Sequence, residues 1–216
     1  CFPVPYCNDT SKTLKEKDSL LIYYAGHGQY DKDSQIGWWV PSEADLEDPS
    51  TFISNSDVRD HLNGVKARHV YTIADSCFSK SLMRKTRSLG PEQLNEKAIK
   101  ELYKDKSRWI LTSGGLYPVP DKGKENHSTF AHYLIRILER NEDRYLTPQQ
   151  IISKLQPMVS GESNQTPISA PIEGDDGGQF IFKNSAYAKI EAPVDLKPKL
   201  QEEEQARAKE DLRRYK

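Results

Sequence analysis

The stretch Leu20–Asp31 reads LLIYYAGHGQYD, and its reading decides the fold. Leu20 to Ala25 is an apolar run of the length and composition of a buried β-strand. It hands over abruptly to Gly26-His27-Gly28. Glycines at a strand end open backbone conformations closed to other residues and allow a second chain to approach closely. An imidazole held between them sits at the rim of a sheet with space around it, or belongs to a turn of no chemical interest. The remainder of the chain has to choose.

A second run, HVYTIADSCFS, has the same design. Cys77 lies just past its apolar part, as His27 lies past the first. The intervening chain carries a helical pattern, with Val58 and Leu62 at helical spacing over Ser56–Gly64. Leu20–Ala25 and Val70–Ala74 are therefore expected to be parallel strands joined by a crossover. In open α/β sheets, function gathers beyond the carboxyl ends of such strands. Adjacent strands lie about 5 Å apart, so a thiol and an imidazole would emerge at one rim. Together they make a nucleophile–base pair, in which the imidazole helps form the thiolate and later protonates a leaving amine. The backbone amides of Gly28 and Cys77 are the candidate oxyanion donors. The alternative for Cys77 is a buried small hydrophobe, against which its neighbours Asp75, Ser76 and Ser79 argue.

Asp75 precedes Cys77 by two residues, so in an extended strand both side chains point the same way. A carboxylate beside a thiolate raises the thiol pKa and is unhelpful to a nucleophile. Two roles fit it: the floor of a pocket for a positively charged substrate side chain, or a cap on nearby backbone amides.

Composition narrows the classes. The chain has 216 residues, enough for one sizeable core plus an extension. Lys+Arg 31 against Asp+Glu 32 leaves net charge −1, so no global field draws in nucleic acid or anionic membrane. Three cysteines, Cys1, Cys7 and Cys77, are too few for a disulfide framework, which points to a reducing, cytoplasmic setting. Further strands are expected at Arg108–Ser113 and Gln179–Lys183, and further helices at Ser128–Arg140 and after Thr147, whose Pro148 and Gln150 complete a capping box. Strands alternating with helices indicate an α/β fold with a mostly parallel sheet. From Ala192 the chain turns polar, with Glu203–Arg207 and Glu210–Arg214 at i,i+4 spacing.

These residues resemble the caspase-like cysteine peptidases, in particular the prokaryotic caspase-family and metacaspase branch. The matching segments are DSLLIYYAGHG (Asp18–Gly28), WWVPSEAD (Trp38–Asp45), ADSCFS (Ala74–Ser79), SRWILTSGG (Ser107–Gly115), HSTFAHYL (His127–Leu134) and GGQFIF (Gly177–Phe182). The resemblance implies a mostly parallel sheet sandwiched by helices and a Cys77/His27 dyad that hydrolyses peptide bonds through a thioester. It implies that Asp75 lines a first pocket selective for Arg or Lys, with Ser113 a weaker pocket candidate. Lys80, Arg84, Lys85 and Arg87, just after the nucleophile, are candidate self-cleavage positions for a basic-specific peptidase, the alternative being a plain solvated loop. The family carries a strand, a helix and a second strand before the segment matching Asp18–Gly28, and with 17 residues there these N-terminal strands are expected to be missing from this chain. The expected organisation is an N-terminal remnant (1–17), a caspase-like peptidase domain (18–184) and a charged helical linker or tail (185–216). Two positions depart from the pattern, with Ala25 where metacaspases often have Ser and Lys80 where glycine commonly follows the nucleophile motif.

The sequence requires no cofactor and places no metal site. Ca²⁺ dependence enters through the resemblance alone, and Asp31, Asp33, Glu43, Asp45, Glu47 and Asp48 form one acidic region. The expected partners are a protein or peptide substrate and a missing N-terminal fragment or larger chain, with neither nucleic acid nor membrane. The competing reading is a non-catalytic scaffold or interaction module built on the same fold.

Overall fold

A computed structural model describes residues 14–76, 95–114 and 126–187. Its centre is a four-stranded sheet in the order β1-β5-β6-β8. Strands β1 (Ser19–Ala25), β5 (His69–Asp75) and β6 (Ser107–Thr112) run parallel. Strand β8 (Ile168–Pro171) closes one side antiparallel. Helices cover both faces, so the mostly parallel α/β sandwich expected from the sequence is present.

All seven residues of β5 are buried, as a central parallel strand covered on both faces requires. Its side chains alternate between two cores. Val70 and Ala74 pack with Val58 and Leu62 of helix α1 (Asn55–Gly64), beneath Trp39 and Ile110. Tyr71 and Ile73 face the other way, into a core shared with Phe130 and Leu134 of helix α3 (Thr129–Glu139) and Leu155 of helix α4 (Pro148–Glu162). These three helices form where the sequence supplies both a stripe and a start. Ser54 caps α1 by accepting the Asp57 amide, Ser128 caps α3 through Ala131, and Thr147 with Gln150 makes the capping box of α4. A short helix, α2 (Glu96–Leu102), precedes β6.

Between β1 and α1 the chain makes a second sheet of β2 (His27–Asp31), β3 (Ile36–Val40) and β4 (Ile53–Ser54), all antiparallel. One strand expectation needs correction. Gln179–Lys183 does not join the central sheet: only β9 (Phe182–Lys183) is a strand, paired with β7 (Tyr145–Leu146) in a separate ribbon. Its aromatic residues decide this, since Phe180 stacks on Tyr71 at 5.7 Å and on Phe182 at 4.9 Å, pulling the segment under the sheet. The fourth strand of the central sheet is instead Ile168–Pro171. Among the described residues, no helix is long and apolar enough to cross a membrane.

Candidate active site

The β1–β5 register brings the two motifs to the same end of the sheet. Ala25 lies opposite Asp75, and the Gly26 amide donates to the Asp75 carbonyl at 3.5 Å. His27 follows at the start of β2, where it is exposed. Ser76 is buried at the same rim. Cys77 lies outside the described residues, as do Lys80, Arg84, Lys85 and Arg87.

The glycines beside His27 differ in part from their expected role. Neither Gly26 nor Gly28 has a positive φ. What Gly26 supplies is room for one side chain: a Cβ there would come within 2.6 Å of the Tyr24 hydroxyl. That phenol donates to the carbonyls of His27, at 2.8 Å, and Val40, at 3.0 Å, and its ring rests on Trp39 with centroids 4.4 Å apart. Trp39 is fixed in turn by its indole N–H, which donates to Asn55 Oδ1 at 2.8 Å. The space at Gly26 is thus filled from within the protein, and the result is a clamp on the backbone of His27. Gly28 pairs with Trp39 across the β2–β3 ladder.

Asp75 is the last residue of β5 and is only 9% exposed. Its Oδ2 accepts a short hydrogen bond from the Ser128 hydroxyl. Its Oδ1 is buried and has no hydrogen-bond partner among the described residues. Burial pushes the Asp75 carboxyl above the usual carboxylate range, while the hydroxyls of Ser128, Ser113 and Tyr23 pull it partly back. Ser113 and Tyr23 thus bring two further hydroxyls towards the carboxyl, beside the one that Ser128 donates. No backbone amide among the described residues donates to Asp75, so the capping role has no support in the geometry. Ser113 is fully buried, its amide donating to the Ala74 carbonyl at 3.0 Å and its hydroxyl turned towards the Ser76 carbonyl at 3.5 Å. Tyr23 is half-exposed, and burial together with the Asp75 charge raises its phenol to about 12, so it faces the carboxylate as a neutral donor.

The acidic region after β2 is organised around its own turns. The Asp31 carboxylate accepts the Asp33 amide and the Ser34 hydroxyl, Asp45 accepts the Glu47 amide, and Asp48 accepts the Ser50 amide. Among the described residues, no group of three or more His, Cys, Asp or Glu is arranged to hold a metal ion.

Three residues at this rim escape a reading of the sequence. Tyr23 and Tyr24 sit in an apolar run and look like core; Ser128 looks like a helix cap alone. A faint signal exists for the tyrosines, because a strand end with two adjacent phenols must place one hydroxyl on each face.

The rim unites an exposed histidine, a buried carboxylate and the residue preceding a cysteine, on a sheet whose parallel strands end together. No curated protein matches the chain. The caspase domain matches it over residues 7–173, which takes in β1 to β8 and both motifs, and the family's general chemistry is that of cysteine peptidases. The chain belongs to the caspase-domain family.

Proposed function

We propose that the protein is a cysteine endopeptidase of the metacaspase type that cleaves after Arg or Lys. The observation that carries this reading is Asp75: a buried carboxylate at the rim beside His27, one oxygen held and the other without a hydrogen-bond partner among the described residues. A buried polar atom left unpaired costs about 1–3 kcal/mol, more when charged. A cationic side chain entering from a substrate would satisfy it. Cys77 acts as the nucleophile, its proton taken by His27. The thiolate adds to the scissile carbonyl, and the amides of Gly28 and Cys77 hold the oxyanion. Collapse of this intermediate breaks the C–N bond, His27 gives its proton to the leaving amine, and water then hydrolyses the thioester.

The arrangement turns an apparent handicap into a filter. An unpaired Asp75 opposes ionisation of a nearby thiol; a bound Arg or Lys cancels that charge and makes the thiolate easier to form. Cleavage after Lys80, Arg84, Lys85 or Arg87 would follow from the same specificity and make the enzyme self-processing. The test is an assay of fluorogenic peptides ending in Arg, Lys or Asp, on the parent chain, Cys77→Ala and Asp75→Ala. Cleavage after Arg and Lys should disappear in Cys77→Ala and fall by at least about 100-fold in Asp75→Ala, the scale of losing a buried charge partner. Cleavage after Asp would overturn the pocket assignment. Absence of any cleavage, with Ca²⁺ or without, would favour the scaffold.

A further inference from the structure

Ser128 stands 53 residues from Asp75 in sequence, yet its hydroxyl is engaged on both sides at once. It accepts the Ala131 amide at 2.9 Å, capping α3, and donates to Asp75 Oδ2. One hydroxyl therefore ties the start of a helix to the carboxylate at the end of the central strand. The helix is well anchored: Phe130 is fully buried and Ala131 and Leu134 nearly so, in the core that also holds Ile73 of β5. Ser128 is consequently not free to follow a moving carboxylate; the carboxylate has to conform to it. The two oxygens of Asp75 are made unequal, with Oδ2 turned to the helix and Oδ1 left over.

We infer that Ser128 is the positioning residue of the specificity pocket. By holding Oδ2 it fixes the rotation of the Asp75 carboxylate, so that Oδ1 alone is presented to the cationic side chain of the substrate. This rests on the reading of Asp75 as a receptor for Arg and Lys. It places part of the substrate preference at the cap of α3, in a segment far in sequence from both His27 and Cys77. The hydroxyl also supports the ionised form of Asp75 against the cost of burial, because a hydrogen bond donated to a carboxylate favours its charge.

The experiment measures two things on the parent chain, Asp75→Asn, Ser128→Gly, Ser128→Ala and Ser128→Thr: binding of agmatine by calorimetry, and kcat and KM on peptides ending in Arg or Lys. Glycine is the informative replacement, since a Gly cap costs little helix stability while removing the hydroxyl. Ser128→Gly and Ser128→Ala should weaken agmatine about tenfold and raise KM by a similar factor with kcat little changed, the scale of a hydrogen bond to a charged group. Ser128→Thr, which keeps the hydroxyl, should restore both. If Asp75→Asn binds agmatine and cleaves as the parent does, the Asp75 reading fails and this inference with it. Suppose instead that Asp75→Asn loses binding while Ser128→Gly keeps it, or that Ser128→Gly loses kcat and thermal stability together with agmatine affinity intact. Ser128 is then a helix cap only, and the Asp75 reading stands without it. Failure of agmatine to bind the parent chain would overturn both.

Discussion

Arg108 and Asp75 occupy neighbouring strands and are both buried, at opposite ends of the sheet. Arg108, 1% exposed, sits near the start of β6. Its Nη1 donates to the carbonyls of Arg68 and Ser107, and its Nη2 to those of Val65 and Ala67, at 2.8–3.0 Å. Its own amide donates to Asp175 Oδ2 at 2.8 Å, and the charges of Asp175 and Asp176 offset part of what burial takes from its basicity. At the same end His69 is wholly buried, and burial lowers it to about 4, so it stays neutral with one ring nitrogen 3.1 Å from the Tyr103 carbonyl. At the far end Asp75 has one firm partner and, among the described residues, one oxygen without a hydrogen bond. A charge that folding has surrounded with acceptors is spent on holding the fold. A charge that folding leaves half-satisfied is available to something that arrives later.

The most damaging challenge to this contrast is Arg108→Met. It strips four carbonyls of their donor without replacing it, at roughly 1–3 kcal/mol for each that stays buried. The expected loss is about 4 kcal/mol or more in urea denaturation, enough to threaten folding of a domain of ordinary stability. A loss under about 1 kcal/mol would mean that the carbonyls find other partners and that Arg108 is not structural.

Tyr24→Phe comes next, because Tyr24 joins the structural side of the molecule to the chemical side. Its hydroxyl serves two carbonyls, one of them that of His27. Removing it should cost about 1 kcal/mol of stability, and kcat should fall about fivefold with KM unchanged. A change in KM alone would move Tyr24 from the histidine to the pocket.

The smallest effect is the most diagnostic for Asp75. Burial raises its carboxyl in the folded state above its unfolded value, so the folded protein favours the protonated form. The stability contributed in this way is complete below the unfolded value and is lost as pH rises through the folded one. Asp75→Asn, which cannot ionise, should therefore equal or exceed the parent in stability at neutral pH, with the gap closing on acidification towards pH ~4. Thermal melts across that range decide it, and a variant less stable than the parent at neutral pH would place Asp75 with Arg108 among the structural charges.

The sequence carried the site further than it carried the sheet. His27 and Asp75 reach one rim because β1 and β5 are strands of equal length whose connection carries helix α1, a crossover that lets them pair in parallel. The cap at Thr147 was equally legible, since capping is a local property. Strand β8 was not. Ile168–Pro171 is short and ends on a proline opposite Trp109, which an outer antiparallel strand tolerates and an inner one does not. The β2–β3 hairpin was hidden because Asp31 to Gln35 lacks the usual two-residue turn, relying on Asp31 side-chain bonds and a left-handed Gln35 at φ 56°. Arg108 gave no warning of its burial: an arginine in a strand is ordinarily at the surface, and its acceptors are 40 to 43 residues away, apart from its neighbour Ser107.

That distance has a kinetic consequence. The guanidinium can reach Val65, Ala67 and Arg68 only once β5 and β6 lie side by side, so these bonds are expected to close late, after the strands pair. Interactions absent from the transition state govern escape from the native basin and leave entry to it nearly untouched. Weakening them with Arg108→Lys should therefore steepen the unfolding limb of a chevron in time, not in slope: faster unfolding at every denaturant concentration, with refolding close to the parent's. Arg108 would then set how long each folded molecule persists.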